Sequence, residues 1–155
     1  MAKAPDFDVA AAHKYFSAEC FNKAWDLIDK PDRTPEENEA MIQLSIASIW
    51  HWTQRADCAP ANLSVGYWQT SRIYALLGQA DNARHYGQLS LGALQGDDVP
   101  PFYRGYAYEA LARAESVAGN KTKMEAFLAE ARRAAEAVTE ADGKQALLAD
   151  LNTIR

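Results

Sequence analysis

Two stretches of the sequence decide the fold: YWQTSRIYALLGQADNARHYGQLS at residues 67–90 and YEALARAESVAGNKTKMEAFLAEA at residues 108–131. In each, apolar residues recur at helical spacing on both sides of a central glycine, Gly78 in the first and Gly119 in the second. Such spacing is typical of amphipathic helices, and a glycine just after the last apolar turn is a common helix stop. Each stretch is therefore predicted to be two helices joined by a short turn.

Aligning Gly78 with Gly119 reveals an internal repeat with an offset of 41 residues. Aromatic, small and turn positions then coincide in the same order along both stretches. The matched pairs are Tyr67 with Tyr108, Ser71 with Ala112, Leu77 with Ala118, Ala83 with Met124, Tyr86 with Phe127 and Ser90 with Ala131. Recurrence at a fixed period indicates stacked copies of one helix pair.

The rest of the chain extends this pattern to about seven helices in one all-α domain of antiparallel pairs. We expect a disordered tail at residues 1–7, a diverged first pair at 8–57, repeat units at 62–96 and 101–138, and a capping helix at 142–154. The clearest helix start is Thr34, which forms a capping box with Glu37 around Pro35. The second helix is apolar on two sides, Ile46 and Trp50 included, which predicts that it lies between neighbours.

The repeat resembles the tetratricopeptide repeat, in which an aromatic and a small residue mark the first helix, a glycine precedes the turn and alanines mark the second helix. One unit matches at Tyr67, Ser71, Tyr74, Gly78, Ala83 and Ser90, and the next at Tyr108, Leu111, Ala112, Gly119 and Ala131. The sequence departs from that family in its period, in lacking a closing proline, and at Gly87, where a large residue is usual. The resemblance covers residues 64–138, points to no subfamily, and implies a short TPR-like α-α superhelix.

The resemblance also implies a binding face, because the first helix of each tetratricopeptide pair lines a concave surface. The positions that match this surface are Trp68, Arg72, Tyr106, Glu109 and Arg113, joined by Phe21 and Trp25 if the first helix belongs to the array. Aromatic and arginine side chains are frequent anchors of interfaces, and paired guanidinium groups suit a carboxylate. The same residues have another interpretation, in which the aromatics pack as core and Arg113 forms an ordinary helical ion pair with Glu109.

Charge and motifs narrow the function classes. The net charge is −5, with 16 basic against 21 acidic residues, which argues against nucleic acid as a partner. No apolar run is long enough for a membrane span, and no signal peptide is visible, so we expect a cytoplasmic location. His13, His51 and His85 fall on different predicted helices without ligand spacing, and no phosphate-loop motif occurs. We therefore expect no metal and no cofactor.

These observations favour a non-enzymatic interaction module that binds a peptide, a partner protein or a small ligand on its concave face. The alternative is a self-associating structural protein, a homodimer formed through an open end of the array. A third hypothesis is a small enzyme with a pocket near His51, Arg72 and His85.

Overall fold

A computed structural model of the chain describes residues 5–96 and 98–155, and over these residues it consists of seven α-helices without a β-strand. The helices are α1 (Val9–Ile28), α2 (Pro35–Thr53), α3 (Pro60–Leu76), α4 (Ala80–Ala93), α5 (Pro101–Val117), α6 (Lys121–Ala137) and α7 (Ala141–Leu151). The predicted all-α class with seven helices is confirmed. The predicted disordered tail lies partly outside the described residues, which begin at Pro5.

The helix starts follow local chemistry. At α2 the predicted capping box forms: the Glu37 amide donates to Thr34 Oγ1 at 3.2 Å, and the Thr34 amide donates to Glu37 Oε2 at 2.9 Å. Helix α3 begins at Pro60, two residues before the predicted start at Asn62, because proline suits the first helical position. Asn62 instead acts one turn inside the helix, where its side-chain oxygen accepts a hydrogen bond from the Ala59 amide at 2.8 Å.

The two glycine turns of the repeat have the same geometry. Gly78 and Gly119 both have φ of 71°, in the left-handed region that glycine adopts without strain. The residue after each glycine donates its amide to a carbonyl one turn back, Gln79 to Tyr74 and Asn120 to Glu115, at 2.9 Å in both cases. This is the Schellman closure of a helix, and it is reproduced at the 41-residue offset.

The helices pack as pairs in sequence order. The most extensive contacts are α1 with α2, α3 with α4 and α5 with α6, while α3 also contacts α5, and α7 packs on α5 and α6. Equivalent rings meet inside the two repeat pairs, Tyr67 with Tyr86 and Tyr108 with Phe127, each with centroids 6.3 Å apart. The arrangement is that expected of a helical repeat.

The buried core is distributed along the array rather than gathered at one centre. One cluster joins α1, α2 and α3 through Ala24, Met41 and Ile73. A second, between α3, α4 and α5, consists of the alanines Ala75, Ala83 and Ala114. The third joins α5, α6 and α7 through Ala112, Met124, Ala131, Ala135, Leu147, Leu151 and Ile154. Each cluster therefore holds one helix pair against the next.

Glycine allows the close approach of two of these layers. A Cβ atom on Gly87 of α4 would lie 3.0 Å from Leu111 Cδ2 of α5, which explains why this position departs from the large residue of the tetratricopeptide pattern. A Cβ atom on Gly105 of α5 would lie 2.4 Å from Leu147 Cδ2 of α7, and Leu147 is fully buried. Both contacts leave no room for a side chain.

Gly105→Val is expected to lower the free energy of unfolding by about 1–3 kcal/mol, since overpacking displaces Leu147. The matched control is Gly92→Ala in α4, where a Cβ atom meets nothing within 4 Å. It is expected to raise stability by up to about 1 kcal/mol through helix propensity. Urea unfolding of the two variants measures both values, and equal stability of Gly105→Val and wild type would contradict the packing.

Candidate functional site

Glu109 of α5 is the centre of the site and is fully buried. One carboxylate oxygen, Oε2, accepts a hydrogen bond from the Trp68 indole N–H at 2.7 Å. The other, Oε1, accepts from Arg113 Nε at 2.7 Å and from Arg72 Nη1 at 3.2 Å. A buried carboxylate is stable only when it is compensated in this way. Trp68 and Glu109 lie 41 residues apart, so equivalent positions of two repeats bind each other.

Asp150 of α7 supplies a second carboxylate to the same cluster. It accepts a hydrogen bond from the Tyr106 hydroxyl at 3.0 Å, and its Oδ1 lies 3.8 Å from Arg72 Nη2. Burial raises the pKa of the Tyr106 phenol, and Asp150 raises it further. We call Arg72, Glu109, Arg113 and Asp150 the ionic network; its two positive and two negative charges balance.

Helix α7 also binds Arg113, which completes the network at the end of the array. Arg113 Nη2 donates to Thr153 Oγ1 at 2.8 Å and to the Asp150 carbonyl at 3.2 Å. The side chains of Arg72 and Arg113 are 18% and 16% exposed, so their guanidinium groups are largely withdrawn from solvent. The predicted use of this arginine pair for an external carboxylate therefore meets an internal competitor, Glu109.

An aromatic chain runs beside the network across α1, α3 and α5. Ring centroids are 6.4 Å apart for Phe21 and Trp25, 5.5 Å for Trp25 and Trp68, and 5.0 Å for Trp68 and Tyr106. Phe102 continues the chain, with its ring 5.0 Å from that of Tyr106. Tilted and edge-to-face contacts of this kind are favourable for aromatic rings.

These rings line a cavity of about 290 Å³, which we call the aromatic pocket. Its lining residues are Phe21, Trp25, Ser64, Val65, Trp68, Ser90, Phe102, Tyr103 and Tyr106. Ser64 and Ser90 bind each other reciprocally, each hydroxyl donating to the other's carbonyl at 2.9 Å. The pocket wall is consequently apolar, with its two serines closed on themselves.

The seven residues predicted from the sequence all lie in this region. Phe21, Trp25, Trp68 and Tyr106 line the pocket, whereas Arg72, Glu109 and Arg113 form the adjoining network. Both interpretations of the sequence describe part of the arrangement, because Trp68 packs in the aromatic chain, anchors Glu109 and also lines the cavity. Whether the face binds a partner remains a prediction.

The contact between Arg72 and the Trp68 ring that the sequence permits is replaced by other partners. Arg72 turns to Glu109, and the cation–π contact that the structure contains joins Arg55 to the Trp52 ring, 3.7 Å from its centroid.

Sequence reasoning missed Phe102, Tyr103 and Asp150. Asp150 had a usable signal, since it lies 41 residues after Glu109 and so continues the repeat into α7. Phe102 and Tyr103 had none beyond their aromatic character, because they follow the turn at the start of α5, where the repeat pattern says nothing.

A second cluster lies on the first helix pair. We call His13, Tyr15, Phe16, Trp50 and His51 the N-terminal aromatic patch; neighbouring rings have centroids 4.9–5.5 Å apart. Tyr15, Phe16 and Trp50 are 58%, 43% and 54% exposed, and Ile46 nearby is 41% exposed. The expectation that α2 is covered on both apolar sides is therefore wrong for Ile46 and Trp50, because α2 belongs to the terminal pair and nothing in the described chain covers that side.

His13 and His51 share a hydrogen bond between their Nδ1 atoms at 2.8 Å. Only one of the two nitrogens carries a proton in such a bond, so protonation of both rings breaks it. Burial lowers the pKa of His51, and the neighbouring His13 lowers it further.

The residues of the enzyme hypothesis lie in different surroundings. His51 belongs to the N-terminal aromatic patch, Arg72 binds Glu109, and His85 is exposed on α4 beside Tyr86. Over the described residues, no three His, Cys, Asp or Glu side chains form a group that could hold a metal ion. No helix in that part of the chain has the length and apolar character to cross a membrane.

Comparison of the chain with protein-family models, with curated proteins and with solved structures found no match.

Proposed function

We propose that this protein is a non-enzymatic binding module that holds its partner in the aromatic pocket. The observation that carries the proposal is the pocket itself, which joins rings from α1, α3 and α5 around one cavity. Cavities lined mainly by aromatic and apolar side chains are the usual form of a binding site. Trp and Tyr are also the residues most often found at the energetic centre of interfaces.

The proposal includes a TPR-like organisation, in which the first helices of successive pairs carry the binding face. Support comes from the two matching glycine turns and from the position of the site residues on α1, α3, α5 and α7. A peptide, a partner protein or a small ligand in the cytoplasm would be the occupant. The balanced charge of the ionic network argues that the apolar wall, rather than the arginines, provides the attraction.

The test is affinity capture from native cytosol, with mass spectrometry of the proteins and small molecules that elute. Trp25→Ala is the site variant, because Trp25 lines the pocket and is only partly buried. Trp50→Ala is its matched control, the same substitution on the N-terminal aromatic patch. We expect Trp25→Ala to lose a specific captured species that wild type and Trp50→Ala retain. Equal capture by all three folded proteins would refute binding in the pocket.

A second candidate function is self-association through the N-terminal aromatic patch. Six of the eight large apolar side chains that are most exposed belong to α1, α2 or the residues leading into α1, namely Phe7, Val9, Tyr15, Phe16, Ile46 and Trp50. Exposed apolar surface concentrated in this way marks an interaction site. An open end of a helix-pair array is one place where a second copy packs.

Light scattering distinguishes this candidate. Wild type is expected to be a dimer at concentrations on the order of tens of micromolar, and Trp50→Ala a monomer. Trp25→Ala should stay dimeric, because Trp25 lies in the aromatic pocket. A monomeric wild type would remove the candidate without touching the pocket.

The His13–His51 contact predicts a pH dependence of stability. Because the pKa of His51 is lowered in the folded state, the unfolded chain binds more protons below its ordinary value of 6.5. The free energy of unfolding should therefore fall as the pH drops through about 6.5, and the stabilising contribution is present only above that range. Urea unfolding at about pH 7.5 and about pH 5.5 measures the loss.

His51→Gln should weaken this acid-side loss, while His85→Gln on the exposed face of α4 should retain it. An unchanged pH profile in His51→Gln would contradict the assignment of the loss to this pair.

A further inference from the structure

We infer that the aromatic pocket takes a small, flat, uncharged aromatic molecule of two fused rings with one hydrogen-bond acceptor. This inference rests on the proposed function and specifies its ligand. It follows from the size of the cavity, from the state of the charges beside it and from the polar groups that its wall leaves free.

Size sets the number of rings. An engineered apolar cavity of about 150 Å³ holds one benzene. The aromatic pocket, at about 290 Å³, has roughly twice that volume and lies at the lower end of small-molecule sites. Its rings meet at different angles, 41° between Trp25 and Trp68 and 68° between Trp68 and Tyr106, so it presents both ring faces and ring edges. A planar bicyclic molecule can use both kinds of contact.

Charge excludes acids and ammonium ions. Every charged side chain of the ionic network is already paired: Glu109 with Arg72 and Arg113, and Asp150 with Arg72. An anionic ligand would have to displace Glu109, which is buried and cannot move into water. A cationic ligand would approach two arginines and find no unpaired carboxylate. A charged molecule would therefore lose its hydration without gaining a partner.

The remaining polar groups define the acceptor. Ser64 and Ser90 are bonded to each other, the Trp68 N–H is bound to Glu109, and the Tyr106 hydroxyl is bound to Asp150.

Within the described chain, the Trp25 indole N–H and the Tyr103 hydroxyl, both on pocket-lining residues, form no hydrogen bond, and neither is a buried orphan atom. An indole N–H only donates, and a tyrosine hydroxyl donates readily. A ligand with one acceptor atom matches this supply.

The same accounting favours a free small molecule over a side chain of a peptide. A bound peptide lays backbone N–H and C=O groups across the surface around the pocket, and these groups need partners there. On the network side the polar groups of Arg72, Glu109 and Arg113 are already taken. A small molecule has no such backbone to satisfy.

The experiment measures binding of three probes that share a bicyclic aromatic body: quinoline, which is uncharged near neutral pH and has one acceptor nitrogen, 2-naphthoate and 1-naphthylmethylammonium. A blocked five-residue peptide with a central tryptophan is the fourth probe. Each is titrated into the full chain by calorimetry, with ligand-detected NMR for weak binding. Val65→Phe, which fills the pocket, is the site variant, and Val117→Phe on the exposed end of α5 is its matched control.

We expect quinoline to bind wild type and Val117→Phe with a dissociation constant on the order of 0.1–1 mM, as its size allows. Both charged probes and the peptide should bind at least about tenfold more weakly, and Val65→Phe should bind none of them. Preference for a charged probe or for the peptide, still blocked by Val65→Phe, would overturn this inference and leave the proposed function standing. Absence of any binding that Val65→Phe removes would overturn the inference and count against the pocket itself.

Discussion

Glu109→Ala is expected to lower the free energy of unfolding by about 3–5 kcal/mol, because it leaves charged groups uncompensated inside the protein. The alanine removes the acceptor for the Trp68 N–H and the counter-charge of Arg72 and Arg113. Those two arginine side chains are less than one-fifth exposed, so water can replace the lost partner only in part. A loss of this size is a large fraction of the stability of an ordinary domain.

Urea unfolding measures the change, and Glu130→Ala is the matched control. Glu130 also pairs with an arginine on its own helix, Arg133, but both side chains are exposed, at 41% and 72%. Such surface pairs contribute about 0–1 kcal/mol. If both substitutions destabilised the protein by the same small amount, Glu109 would not be the centre of a buried network.

The architecture was accessible from the sequence because the repeat repeats its chemistry. A left-handed residue is needed where each helix pair turns, and Gly78 and Gly119 fill that position 41 residues apart. Proline and the Thr34 capping box mark helix starts by local hydrogen bonding, which sequence patterns report directly. These features are local, and they predicted the helix boundaries to within a few residues.

The face was accessible for a different reason, namely that helical spacing puts every fourth residue on one side. Trp68 with Arg72, and Glu109 with Arg113, are such pairs, and α3 and α5 bring them together as the resemblance implied. What spacing could not show is that Glu109 satisfies both arginines. That outcome depends on the rotamers of three long side chains and on how deeply the carboxylate is buried.

Contacts between the ends of distant elements were not accessible. Asp150 reaches the network because α7 folds back on α5, and His13 meets His51 because α1 and α2 lie side by side. Neither contact has a spacing signature within one helix. The repeat offset places Asp150 in register with Glu109, but only the packing of α7 shows that the register is used.

The network and the aromatic pocket are physically one device, since Trp68 belongs to both. Its ring forms part of the pocket wall, and its N–H is fixed by Glu109. A fixed ring loses less freedom when a ligand arrives, so a buried ion cluster beside an apolar cavity pre-organises the cavity. This arrangement explains why charged residues lie on a face whose free surface is apolar.

Trp68→Ala is accordingly expected to destabilise the protein by about 3 kcal/mol, the lower end of the range for removing a large aromatic side chain that is only partly buried. The loss has two parts, ring contacts with Trp25 and Tyr106 and the hydrogen bond to Glu109. Trp68→Phe separates them, because it keeps a ring and removes the N–H. A hydrogen bond to a charged group contributes about 1.5–3 kcal/mol, which is the loss expected for Trp68→Phe.

A double-mutant cycle with Glu109→Gln decides whether that bond is the cause. Every partner of the Glu109 carboxylate is a donor, so a glutamine must turn its NH₂ group toward either the Trp68 N–H or the arginines. With phenylalanine at position 68 the NH₂ group meets no opposing donor on that side, and the cost of Glu109→Gln should shrink. We expect the two substitutions together to cost about 0.5–3 kcal/mol less than the sum of the single changes. Strict additivity in urea unfolding would show that the ring of Trp68, and not its hydrogen bond to Glu109, holds this face together.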